Sequence, residues 1–300
     1  MQLLYALAEL RTPFLDAVLG ALTNCGGELV FMAAAIIVFW CVSKSCGYYM
    51  LTVGFVGTIV NQFLKLVFRI PRPWVKDPDF QIVESARAEA TGYSFPSGHT
   101  QNVFASFGCL GRWTKRAWLR VVCALLIVVT AFSRMYLGVH TPLDVGVSFG
   151  IGLVLVFALY PLFRDIDSHP KRLYLLFAEL WPFPADVDAA NLASGRKNAY
   201  TLLGAVLGMT FAYWLDRRYV HFDVRAVWWA QVLKTVLGLA ITIGLRAALK
   251  APLLALCGGH NVANLIRYAL MVIFAAGIWP MTFGWFGRLG RKKPASGASD

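Results

Sequence analysis

Charge is what this chain has least of. Asp, Glu, Lys and Arg make up 15% of its 300 residues, against about 25% in soluble domains. Acidic side chains are scarcest: 16, against 28 Lys and Arg, for a net charge of +12. So little polar surface excludes an ordinary cytosolic enzyme and a disordered chain. No repeat recurs at the roughly 20–50-residue period of solenoids and propellers. Cysteines number six (Cys25, Cys41, Cys46, Cys109, Cys123 and Cys257). None has metal-ligand spacing, and most lie in or beside apolar stretches. They read as small buried hydrophobes rather than disulfides or ligands, and no metal or other cofactor is expected. No basic region precedes the first apolar run, so a cleavable signal peptide is not expected.

Apolar residues fill the space that charge leaves: 58% of the chain is hydrophobic and the mean hydropathy is +0.60. The runs are long and continuous, unlike the alternating ~10-residue segments of outer-membrane barrels. They predict an all-α fold, a polytopic transmembrane helical bundle of about eight spans. Five fall in the first half (29–42, 48–68, 99–111, 117–133 and 141–163). Three fall in the second, near 198–215, 227–249 and 265–287. Residues 1–24 read as an interfacial amphipathic segment broken by Pro13. Residues 166–197 form a polar connector and 288–300 a basic, flexible tail. In this setting the net positive charge suits the lipid bilayer and its anionic headgroups, not nucleic acid.

Three short segments place polar residues where a plain membrane helix needs none. The first runs from Lys65 to Arg72 and Pro73. The second is Pro96-Ser97-Gly98-His99. The third contains Ser133, Arg134, His140 and Asp144. The order of spans puts all three at one face, so Lys65, Arg72, His99, Arg134, His140 and Asp144 can converge. Taken singly, a Lys or Arg at a span end usually snorkels to headgroups, and an Asp at a helix start favours the dipole. Those readings do not explain two histidines, three cations and one Asp at one face. Arg69, His169, His221 and His260 have no such company.

Residue type dictates the chemistry. Three cations without a matching run of carboxylates suit a dianionic phosphate and the extra charge of a five-coordinate transition state. His140 and Asp144 are i, i+4 at a helix start. The carboxylate can hold one ring nitrogen and leave the other free as a nucleophile. Ser97 and Gly98 precede a helix, so their N–H groups can donate to phosphate oxygens. His99 is then the free proton carrier. Asn61, one turn before Lys65, suits either a bond to the ammonium or substrate or a helix–helix hydrogen bond. Trp74, Phe80, Ile82 and Val83 suit either a lid that meets a lipid tail or a loop packing on its own membrane surface. Arg246, Lys250 and Arg267 read as snorkelling side chains more readily than as a basic pocket.

These three segments resemble the three signature motifs of the type 2 phosphatidic acid phosphatase superfamily, which holds membrane lipid phosphatases, glucose-6-phosphatase, bacterial acid phosphatases and vanadium haloperoxidases. The resemblance covers roughly residues 25–165, a phosphatase core in the first five spans, and assigns no role to 198–287. It implies a metal-independent phosphatase that passes through a phosphohistidine on His140. The expected substrate is a lipid phosphate or diphosphate. A soluble phosphoester, or a non-catalytic phosphate-binding transporter or scaffold, are the competing readings; the second histidine argues against the last. Lys44, Arg112, Lys115, Arg116, Arg120, Arg164, Lys171, Arg172, Arg196 and Lys197 sit on loops opposite the site. The positive-inside rule then predicts a cell-membrane protein with its active site on the extracytoplasmic face.

Overall fold

The computed structural model describes residues 1–164 and 189–289. Asp165, Asp167, Lys171, Arg172, Asp186 and Asp188 of the connector, and Arg291, Lys292 and Lys293 of the tail, lie outside them. Every regular element among the described residues is helical. The chain divides into two compact units, residues 1–39 with 44–202 and residues 40–43 with 203–300.

In the first unit, α1 (Gln2–Glu9) and α2 (Pro13–Thr23) precede α3 (Glu28–Cys41) and α4 (Lys44–Phe68). The Thr12 hydroxyl caps α2 by accepting from Leu15 N, and Pro13 fills the first helical position, where no N–H is needed. A short α5 (Pro73–Lys76) leads into the loop that carries the second polar segment. The helix that follows, α6 (Gly98–Val103), passes through a π turn at Phe104–Gly108 into α7 (Cys109–Trp113). Two long helices close the unit, α8 (Ala117–Tyr136) and α9 (Pro142–Arg164).

Residues 1–24 pack against the rest of the first unit. Leu4 and Leu19 join Phe80, Ile82, Tyr136, Leu137 and Val139 in one buried cluster. Arg11 ties it down, donating from Nε to Tyr136 O at 3.0 Å and from Nη1 to Gln81 O at 2.7 Å. Phe80 and Ile82 are thus both buried, packed with Leu4 of α1 and Leu19 of α2.

The second unit holds α10 (Ala189–Leu215) from Leu203 onward, α11 (Trp228–Ala248), α12 (Lys250–Leu256), α13 (Val262–Ile273) and α14 (Phe283–Arg288). Gly204 and Gly208, one turn apart, let α10 approach the backbone of α13. A Cβ at Gly204 would sit 2.1 Å from Leu265 O, and one at Gly208 2.6 Å from Ala269 O. This is small-residue packing, which lets helices associate in lipid. Lys234 is buried, and its ammonium donates to Trp40 O (3.0 Å) and Val224 O (3.3 Å). Arg246 and Lys250 are exposed, as snorkelling residues are, whereas Arg267 is buried on Asn264 Oδ1 at 2.9 Å.

Among the described residues, five helical segments are long and apolar enough to cross a membrane: Lys44–Lys76, Ala117–Tyr136, Pro142–Arg164, Trp228–Leu256 and Val262–Arg288. A sixth is formed if Pro13–Gly26 and Glu28–Cys41, bent by 52°, count as one. Length and composition thus support several spans without fixing the expected eight; the helix from Gly98 to Trp113 is shorter than the roughly 20 residues a span needs.

Candidate active site

The first polar segment is placed by how α4 ends. Arg69 adopts a left-handed conformation (φ 50°) and its Nε donates back to Leu66 O at 3.0 Å, closing the helix. The chain then turns through Pro71, and Arg72 becomes the residue before α5 with Pro73 at its first position. Lys65 is one turn inside α4, with its ammonium 2.5 Å from Tyr93 O. Asn61 is buried one further turn back; its Nδ2 has no partner, and it does not reach the ammonium.

The third segment is a single turn. After α8, the N–H groups of Val139 and His140 both return to Arg134 O at 3.2 Å. Gly138 makes this possible with φ 81°, a conformation that glycine adopts without strain. Thr141 then caps α9. Its Oγ1 accepts from Asp144 N (3.3 Å), while Asp144 Oδ2 accepts from Thr141 N (2.8 Å). This reciprocal box fixes the carboxylate in the first turn of α9.

The six residues do converge. Arg72 Nη1 lies 3.0 Å from His140 Nε2, and His140 Nδ1 lies 3.5 Å from Asp144 Oδ2. Arg72 is held by three carbonyls: Nε on Gly92 O (3.0 Å), Nη2 on Thr91 O (2.8 Å) and Nη1 on Val139 O (3.0 Å). Arg134 is 1% exposed; Nη1 donates to Thr23 Oγ1 at 3.0 Å, while Nε and Nη2 have no partner. Burial, then the positive charge of Arg72, Arg134 and Lys65, holds the His140 imidazole well below its ordinary value. Inside this cluster stands one buried carboxylate, Asp144, against three cations. That charge excess is what a dianionic ligand matches.

The second segment supplies the remaining wall. Ser97 caps α6 and is fully buried; its Oγ accepts from Thr100 N (3.4 Å) and Thr100 Oγ1 (3.0 Å). With both lone pairs occupied, its own O–H proton remains to donate. Ser97 N–H donates to Asp144 O at 3.2 Å, so it is engaged within the protein rather than open to a ligand. Gly98 faces open space, where a Cβ would meet nothing within 4 Å. His99 Nε2 lies 2.8 Å from Glu89 Oε2.

Two partners carry no sequence signal of their own. Ser94 is fully buried and donates from Oγ to Asp144 Oδ2 at 2.5 Å. Glu89 is an exposed loop residue. Nothing in type or spacing separates either from the other polar residues of that loop. Trp74 lies near two cations, with Arg72 5.9 Å and Arg87 5.2 Å from its ring centre.

Comparisons with known proteins follow the same residues. Residues 44–167 match the PAP2 superfamily model, and residues 200–292 match that of the PAP2 superfamily phosphatase transmembrane extension. The undecaprenyl-diphosphatase BcrC of Bacillus subtilis is 34% identical over 108 residues, 36% of this chain and 52% of that protein. Phosphatidylglycerophosphatase B of the same organism is 25% identical over 178 residues, 54% of this chain and 80% of the relative. Lipid A 4'-phosphatase of Bacteroides thetaiotaomicron is 25% identical over 154 residues, 48% and 67% respectively. The match thus spans about half the length of the first of these relatives. No solved structure matches the chain significantly.

Proposed function

Because the chain belongs to the PAP2 superfamily, we propose that it is an integral-membrane phosphatase. Its substrate is a lipid phosphate or diphosphate, and a phosphohistidine on His140 is the intermediate. The carrying observation is the contact between Arg72 Nη1 and His140 Nε2 at 3.0 Å. A guanidinium only donates. The imidazole therefore presents a lone pair at Nε2, beside the cation that would hold phosphate, and its Nδ1–H faces Asp144.

In this mechanism Lys65, Arg72 and Arg134 grip the phosphoryl oxygens, with Gly98 N–H and Ser97 O–H completing the cradle. The unpartnered Nε and Nη2 of Arg134 supply two of those donors. His140 Nε2 attacks phosphorus in line, the bond from phosphorus to the ester oxygen breaks, and His99 gives that oxygen its proton. Water then attacks the phosphohistidine and yields its proton to His99. Phosphate leaves, and His140 is restored. Charge that other phosphatases take from a metal comes from the three cations.

The relatives named for undecaprenyl diphosphate, phosphatidylglycerophosphate and lipid A support a lipid substrate. The proposal places the phosphatase core at residues 25–165 and further membrane helices at 198–287, to a total of about eight spans. The protein sits in the cell membrane with the site on the extracytoplasmic face. The test is phosphate release by purified protein from phosphatidic acid, phosphatidylglycerol phosphate, undecaprenyl diphosphate and glucose 6-phosphate, each with EDTA or vanadate. Release from at least one lipid, unaffected by EDTA and blocked by vanadate, is expected. Release from glucose 6-phosphate alone would overturn the lipid assignment, and EDTA inhibition reversed by Mg²⁺ would overturn the mechanism. A cysteine introduced at Asp79 should react with an impermeant thiol reagent in intact cells; labelling only after lysis would reverse the orientation.

A further inference from the structure

The N-terminal segment precedes the residues that match the PAP2 superfamily model, yet it reaches the centre of the site. Thr23, the last residue of α2, is 4% exposed, and its Oγ1 accepts from Arg134 Nη1. Three residues on, Gly26 sits directly against His99: a Cβ there would lie 2.6 Å from His99 O and 3.0 Å from His99 Cβ. Asn102, one turn after Gly98 on α6, holds this contact by donating to Gly26 O at 3.1 Å. The α2 helix packs along α8, which carries Arg134, and Arg11 fastens the segment to the end of α8 through Tyr136 O.

We infer that Thr23 is a positioning residue for phosphate binding: it sets the plane of the Arg134 guanidinium so that Nε–H and Nη2–H point at the phosphoryl oxygens. The guanidinium is rigid and planar. Fixing one nitrogen on a side-chain acceptor therefore limits where the other two can aim. Among the described residues the Arg134 guanidinium has no other hydrogen-bond partner: Thr23 holds Nη1, while Nε and Nη2 are buried and unpartnered. The inference deepens the phosphatase reading and rests on it. The phosphate site is then built from two parts of the chain, the three motifs and an N-terminal helix that none of them contains.

Three variants test this: Thr23→Val, which keeps shape and removes the acceptor, Thr23→Ser, which restores it, and Arg134→Ala. Two readouts apply, kcat/KM on the preferred substrate and the rise in melting temperature caused by vanadate, a binding readout that does not need turnover. Thr23→Val should lose about tenfold in kcat/KM and in vanadate affinity, the scale of one hydrogen bond to a charged group. Thr23→Ser should recover most of both. In the Arg134→Ala background, Thr23→Val should add no further loss in vanadate binding, since its effect passes through the arginine. If Thr23→Val matches the parent, if Ser is as impaired as Val, or if the losses add in the double variant, the inference fails while the phosphatase reading stands. If the parent neither releases phosphate nor binds vanadate, that reading fails and the inference falls with it.

Discussion

Asp144 and Ser94 are joined by a 2.5 Å hydrogen bond across 50 residues of sequence, in full burial. The same carboxylate oxygen accepts from Thr141 N at 2.8 Å and lies 3.5 Å from His140 Nδ1. One oxygen thus gathers the loop before the second motif, the cap of α9 and the imidazole proposed as nucleophile. The hydroxyl is a neutral donor, so it orients the carboxylate without cancelling its charge. Ser94→Ala should lower kcat by about tenfold, the scale of one lost hydrogen bond to a charged group, with KM little changed. A loss confined to KM would show that Ser94 shapes the substrate pocket instead.

Arg72 does two jobs at once, bracing three loop carbonyls and touching His140. Lysine keeps the charge but has no planar fork. Arg72→Lys should therefore lose at least about 10²-fold in kcat/KM, the scale of one lost preorganised donor, and should also lower the melting temperature. Near-normal activity would mean that charge alone suffices at this position.

The depressed basicity of His140 has a sign that can be checked. Burial and the cations Arg72, Arg134 and Lys65 disfavour the imidazolium, so the nucleophile stays neutral below the ordinary titration near 6.5. Removing one of those charges should move the acid limb of kcat/KM upward in pH. Lys65→Met is suited to this, with an aryl phosphate so that residual turnover is measurable. Ionisation of the substrate is common to both proteins and cancels in the comparison. Stability follows the same linkage: the unfolded imidazole binds a proton near 6.5 while the folded one does not, so this contribution is present above that pH and is lost as the pH falls. An acid limb that stays put, or moves down, would contradict the electrostatic account.

Much of the site was legible because it is written in residue types that membrane helices avoid. Lys65, Arg72, Arg134, His140 and Asp144 interrupt apolar runs at span ends, and local turns bring them to one place. The Gly138 turn returns His140 to Arg134 within six residues. Ser94, Glu89 and Thr23 were not legible, since their roles come from contacts across the fold and polar residues in loops are ordinary. What covers the N-terminal segment was not legible for a related reason. An amphipathic pattern says that one face is buried, not whether lipid or protein covers it. Here Leu4 and Leu19 meet Phe80 and Tyr136. At Gly98–Trp113 an apolar run forms a short helix that includes a π turn and ends at Trp113.

Glu89 offers a selective probe of the proton carrier. Its carboxylate lies 2.8 Å from His99 Nε2 and supports the protonated ring, the form that serves a leaving group. Glu89→Gln keeps a hydrogen-bonding group and removes the charge. Turnover of an alkyl phosphate should fall by about tenfold, a small part of the 10²–10⁴ that acid catalysis contributes. An aryl phosphate, whose leaving group needs no proton, should be hydrolysed at close to the parent rate in the first step. Equal losses on both substrates would assign Glu89 to general packing.

The two histidines should part company in the same way, and more sharply. His140→Ala removes the attacking nitrogen, so turnover and any covalent phosphoenzyme should both vanish. His99→Ala leaves the nucleophile in place and removes the proton carrier, so an alkyl phosphate should be nearly inert. With an aryl phosphate the first step can proceed without a proton, but the second still needs a base to take one from water. A phosphoenzyme should then accumulate on His140 in this variant alone. Asp144→Asn should be slowed rather than dead, because the nucleophile remains while its tautomer and orientation lose support. Acid-labile label from ³²P-substrate, trapped by rapid quench and mapped by peptide, separates these outcomes. Label on His99, or undiminished turnover in His140→Ala, would exchange the two roles or abolish them.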